Sequence, residues 1–147
     1  MKVPGAELKP KIPKLSRLVI DSQFKIWLPD YSNLEIQLTP LPKTLYLFLL
    51  KRPEGVRLKE LSPHRKELLG IYAKIGNRLN LEQMKKSIND LTDMRSNSIH
   101  EKCSRVRQAF LDQLSHPVAV HYCINGSRNQ PKKILLQPSL IILPDNL

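Results

Sequence analysis

An α+β fold is predicted for this sequence by three observations. Apolar residues alternate with period two in Leu18–Leu38 and again after Leu114, helical spacing governs four stretches between them, and turn-forming residues stand where the period changes. The 147 residues are enough for one domain with an ordinary core. Residues 17–143 are assigned to that domain, 1–16 to a basic, proline-containing flexible arm, and 144–147 to a frayed tail.

The arm carries Lys2, Lys9, Lys11 and Lys14 between prolines 4, 10 and 13, a composition that blocks regular helix. Phe24, Ile26 and Leu28 then alternate with Lys25 and Trp27, and Leu34, Ile36 and Leu38 alternate with Glu35 and Gln37. Pro29–Asn33 supplies the turn, so this is an antiparallel hairpin, with Arg17–Ile20 available as a third strand. Thr39-Pro40 starts a helix, with proline at the first position where its missing N–H costs nothing. Leu41, Leu45, Leu47, Phe48, Leu49 and Leu50 make that helix apolar on nearly every side, which marks it as buried. Ser62-Pro63 opens a second helix that runs to Gly76, and Asn80 caps a third over Leu81–Leu91, with Gln83 in the capping-box position.

The fourth helix spans Ser98 to Leu114. Ser98 and Glu101 form a capping box, each side chain serving a backbone N–H of the first turn. Ile99, Cys103, Val106, Phe110 and Leu114 share one side, whereas Ser104, Arg105 and Gln108 point away from it together with Glu101 and Asp112. His100 and Arg107 lie on one shoulder and Lys102 on the other. Val118, Val120, Tyr122 and Ile124 read next as one face of a strand, Asn125–Pro131 as a turn, and Lys132–Leu136 as the returning strand. That hairpin carries Arg128, Lys132 and Lys133 at its tip and on its return; Leu140–Leu143 remains as an edge strand.

Sheet, helices, capped basic helix and basic hairpin follow the order of a winged helix-turn-helix. Two stretches resemble the OmpR/PhoB-type effector domain in particular. Leu38-Thr39-Pro40-Leu41 with Lys51-Arg52-Pro53-Glu54-Gly55-Val56 is similar to that family's opening helix and turn, and Cys103–Phe110 to the centre of its recognition helix. The resemblance implies that Arg105 reads base edges, that Lys102 and Arg107 hold groove walls or phosphates, and that Arg128 enters the minor groove. The chain departs from the family in its extra helix at Leu81–Leu91 and in Pro42, where an acidic residue is usual. It shows no receiver domain, so phosphorelay control is not expected.

Composition points the same way. Twenty-four Lys+Arg against 13 Asp+Glu leave a formal charge of +11, a field suited to polyanions. No apolar run reaches the roughly 20 residues that span a bilayer, and neither a secretory leader nor a membrane partner is expected, so the setting is cytoplasmic. Glycine-rich phosphate loops, nucleophile elbows and paired metal-ligand spacings are missing. His100 with Cys103 makes half a metal site at most, and the Glu60, His64 and Glu67 cluster is interleaved with Lys59, Arg65 and Lys66 as on a solvated face. Neither an enzyme nor a cofactor is expected. The function read from sequence is double-stranded DNA binding in transcriptional regulation through Lys102, Ser104, Arg105, Arg107, Gln108, Arg128, Lys132 and Lys133. Docking of an acidic protein partner is the alternative, and binding of structured RNA by shape a third. Oligomeric state is left open.

Overall fold

The computed structural model describes residues 13–76, 80–127 and 129–147. Strands β1 (Leu18–Ile20), β2 (Ile26–Leu28) and β3 (Leu34–Ile36) form an antiparallel meander, and β6 (Ile141–Ile142) joins it in parallel beside β1, giving the order β3-β2-β1-β6. Pairing of Ile20 with Ile26 and Ile26 with Ile36 puts the isoleucines in register on the buried face, while Val19, Trp27 and Glu35 share the other. Asp21 closes the first turn by accepting hydrogen bonds from the Gln23 and Lys25 backbone N–H groups and from the Trp27 indole.

Helix α1 (Pro40–Leu50) runs through the centre of the molecule. Every residue from Thr44 to Leu50 is buried, as its all-round apolar sequence requires. Around it pack α2 (Arg65–Ile75) and α4 (Ser98–Leu111), with α3 (Leu81–Leu91) bridging these two. Two short 3-10 turns, Leu58–Glu60 and Ser62–His64, lead into α2, so the helix itself begins at Arg65 rather than at Ser62-Pro63. Asn80 caps α3 as its sequence predicts, its side chain accepting from the N–H groups of Glu82 and Gln83. Arg52 forks onto Glu67, joining α1 to α2, with Arg52 Nη1 at 2.8 Å from Glu67 Oε2 and its guanidinium carbon 4.1 Å from the Phe48 ring centre. Hydrogen bonding from Arg52 therefore holds the Glu67 carboxyl below its ordinary range.

The structure departs from four of the expectations read from sequence. Phe24 precedes β2 in the turn, at φ +63°. Helix α4 has no capping box: Asn97 is its N-cap residue and makes no side-chain cap bond, and Ser98 is already helical. The Ser98 N–H is instead satisfied by Ser96 Oγ at 3.1 Å, two residues earlier in the loop. Regular helix stops at Leu111, although the Leu114 N–H still donates to Phe110 and keeps Leu114 against the core. The run from Val118 to Tyr122 is not a strand but the short helix α5 (His116–Ala119) and a turn, with Ala119, Tyr122 and Cys123 buried. Ser115 in extended conformation, followed by Pro117 at the second helical position, is the same start signal found at Thr39-Pro40, and it overrides the chance alternation.

The C-terminal hairpin is consequently short, β4 (Ile124–Asn125) against β5 (Lys133–Ile134), with Ile124 opposite Ile134. Val56 extends it by one bridge, exchanging both backbone hydrogen bonds with Lys132 at 3.0 and 2.9 Å. The ends of the domain are tied down as well. Within the expected arm, Ser16 is fully buried and Lys14 O accepts from the Tyr31 hydroxyl; in the tail expected to fray, Asn146 accepts from Lys74 Nζ and donates to Ser22 O. The remainder of the arm, residues 1–12, lies outside the described residues.

Arg17 clamps Asp30 across the meander through its backbone N–H, Nε and Nη2, and these hydrogen bonds hold the Asp30 carboxyl at about 2. A carboxyl depressed on folding stabilises the native state above its unfolded value, near 3.9, and loses that contribution as pH falls toward the folded value. Asp30→Asn is thus expected to flatten the loss of thermal stability between about pH 4 and pH 2. Melting curves across that range check it, and parallel wild-type and variant profiles would remove the clamp from the acid response.

Candidate nucleic-acid interface

The apolar side of α4 fixes the direction of everything else on it. Ile99, Val106 and Phe110 are buried against α1 and the aromatic cluster, which leaves His100, Glu101, Ser104, Arg105 and Gln108 on an open face. Ser104, Arg105 and Gln108 are therefore brought together as the sequence predicts. Gln108 is engaged within the helix, its Nε2 donating to Asp112 Oδ1 at 2.6 Å. Arg105 makes no ion pair among the described residues.

The two shoulder cations line separate depressions: that of Lys102 borders this face at Asn97 and Glu101, whereas that of Arg107 shares no residue with it. Lys102 is mostly covered, 3.5 Å from Glu101, and turns toward a depression lined by Leu41, Ser87 and Asp90 near the start of α1 and the end of α3. Arg107 is exposed on the far shoulder beside His116, Cys123 and Asn125. Lys102 and Arg107 thus stand on opposite shoulders of the helix. Its buried arc is centred on Val106, so positions 102 and 107 flank that arc instead of opposing it.

A second basic feature lies at the other end of α4. A cleft of about 640 Å³ is bounded by Arg57, Leu58 and Lys59 from the α1–α2 connection, by Met94 and His100, and by Gly126, Ser127, Asn129, Gln130 and Lys132 of the hairpin. His100 lines both this cleft and the open α4 face, so the two are continuous. Lys132 is half-buried and its Nζ donates to Gly126 O at 2.6 Å across the turn, while Lys133 is exposed. Arg128, assigned to the hairpin tip from sequence, lies outside the described residues.

Arg57 falls in the brief extended link Val56-Arg57-Leu58 and Lys59 among the charges of a solvated face, so neither stands out in the sequence as a site residue. The signal that identifies them is positional. Gly55, at φ +82°, turns the chain so closely past the hairpin that a Cβ there would sit 2.8 Å from Lys132 O. Val56 can then bridge to Lys132 and be buried, which sends the next side chain outward into the cleft.

The charged lining of the cleft is Arg57, Lys59 and Lys132, while Glu101 stands beside Arg105 on the open α4 face. Among the described residues no three His, Cys, Asp or Glu side chains converge as metal ligands, and no helix is long and apolar enough to cross a membrane. Cys103 and Cys123 are free thiols; burial pushes Cys103 up to about 11 and raises Cys123, opposed by the charges of Lys132 and Arg107 respectively. Both stay protonated at neutral pH and are poor nucleophiles. Glu67, in the first turn of α2, is taken up by Arg52 and Lys51, and His64 stands edge-on to Phe48 with ring centres 5.2 Å apart. No family model, curated protein or solved structure matches the chain.

Proposed function

We propose that this chain is a winged helix-turn-helix module that binds double-stranded DNA and serves as a cytoplasmic transcriptional regulator. Helix α4 is the recognition helix, α3 the helix before it, and the β4–β5 hairpin with Val56 the wing. One observation carries the reading: the open α4 face bearing Ser104, Arg105 and Gln108 continues through His100 into the cation-lined cleft at the hairpin. A helix seated in the major groove needs such a neighbour, since base-edge contacts specify while adjacent backbone contacts hold register.

In this arrangement Arg105 reaches base edges, Gln108 can exchange its bond to Asp112 for one to a base, and Lys132 and Lys133 meet phosphates. A second reading, docking of an acidic protein, draws support from Glu101 and Asp112, which stand exposed on the α4 face where a duplex would repel them.

Fluorescence anisotropy with random-sequence duplex across a salt series separates the two readings. DNA binding is expected to weaken with salt with a log–log slope of roughly 0.9 per phosphate contacted. Arg105→Ala is expected to relax sequence preference by about 1–3 kcal/mol at the base it reads. Lys132→Ala with Lys133→Ala should instead weaken all sequences alike, provided the melting midpoint shows the hairpin intact. Wild-type protein that ignores duplex at low salt overturns DNA binding and puts the protein partner first.

A further inference from the structure

We propose that the connection between α1 and α2 is a phosphate-binding element in its own right. Arg57 and Lys59 grip the sugar-phosphate backbone of one duplex strand where it passes through the cleft beside the hairpin. This rests on the DNA reading above and adds to it a contact that lies in neither the recognition helix nor the wing.

Three observations carry it. The cleft's charged lining is cationic, Arg57, Lys59 and Lys132, with no carboxylate, although Glu54 and Glu60 stand only a few residues away in sequence. Neither Arg57 nor Lys59 is held in an ion pair among the described residues, and both are exposed, so their charge is available to a ligand. Their backbone is anchored. The two Val56–Lys132 hydrogen bonds and the Gly55 turn tie the start of the segment to the hairpin, which holds the Arg57 backbone beside Lys132.

Cations from two separate chain segments suit a strand carrying several phosphates better than an isolated ion. The cleft's lining comes from two walls, Arg57, Leu58 and Lys59 on one and Ser127, Asn129, Gln130 and Lys132 on the other, and His100 borders the α4 face as well. Neutral donors in the turn suit phosphate oxygens between the cationic contacts. A backbone leaving the major groove at the start of α4 meets this lining without a change of partner surface.

The test is the salt slope of duplex binding by the Arg57→Ala/Lys59→Ala double variant. Loss of two phosphate contacts is expected to reduce the log–log slope by about 1.8, at roughly 0.9 per contact, and to weaken every sequence equally. The charge-conserving Arg57→Lys/Lys59→Arg variant is expected to restore most of that slope. A control pair, Lys25→Ala/Lys74→Ala, removes equal charge from the region of the N-terminal sheet and the C-terminal tail, and its slope should stay that of the wild type. An unchanged slope in Arg57→Ala/Lys59→Ala with binding retained overturns this inference alone, as does an equal fall in the control pair, which would trace the effect to net charge. Wild-type protein without duplex affinity overturns the DNA reading and this inference with it.

Discussion

Truncation of Phe110 to alanine is expected to destabilise the protein by about 3–5 kcal/mol. Phe110 is fully buried, with its ring centre 5.5 Å from that of Tyr46 and stacked 5.7 Å from that of Tyr122. Neither neighbour is free to collapse into the space it leaves. The Tyr46 hydroxyl donates to Tyr122 O at 2.6 Å, and the Tyr122 hydroxyl donates to Ser16 O at 2.8 Å, so both rings are pinned at their far ends. A rigid surround leaves the cavity open, which places the cost toward the upper end of the range. Urea unfolding with an unchanged m-value measures it. A loss below about 1 kcal/mol would show that the two tyrosines relax despite their hydrogen bonds.

Gly126→Ala is expected to have the second largest effect, and a local one. Gly126 holds φ +135°, which L side chains rarely adopt, and a Cβ there would lie 2.3 Å from Pro131 O. Conformational strain alone costs about 1–3 kcal/mol, and the overlap with backbone adds to it. The hairpin turn must rearrange to relieve it, carrying Lys132 out of its bond to Gly126 O. Hydrogen exchange is expected to quicken at the Val56 and Lys132 amides while those of α1 stay protected, and duplex affinity should fall with sequence preference kept. Wild-type protection at Val56 and Lys132 would contradict this account of the turn.

Much of the fold is legible in the sequence wherever period and end signals agree. The β1–β3 meander, the buried α1 and the Asn80-capped α3 each combine an apolar pattern with a matching turn or cap. Failures fall where two local signals compete. At Ser115–Pro117 a helix start lies beneath a run of alternating apolar residues, and the start wins because burial follows Ala119, Tyr122 and Cys123 rather than every second residue. At Ser98 a capping-box spacing is present, yet Ser96 reaches the same N–H from the preceding loop.

The candidate site is legible in the sequence along α4 and at Lys132 of the hairpin. Outward positions such as Ser104, Arg105 and Gln108 follow from the α4 apolar arc, whereas Lys102 and Arg107 sit close enough to its edges that the packing of α3 and α5 decides their surroundings. Arg57 and Lys59 depend on a bridge between residues 56 and 132, and no local pattern announces a contact across that separation.

The position of β1 also sets the order in which the molecule can be completed. That strand is central, paired on one side with β2, a few residues on, and on the other with β6 through Leu18 and Ile141. The helices and the meander are assembled from contacts between near neighbours, which close quickly; the β1–β6 pairing and the Tyr122–Ser16 bond close loops of more than a hundred residues and come last. A chain emerging from the ribosome therefore carries an open sheet edge along Leu18–Ile20 until its residues near 141 are free. During that interval the edge is a pairing site for other nascent chains, and sealing it in the native state is the task of two isoleucines.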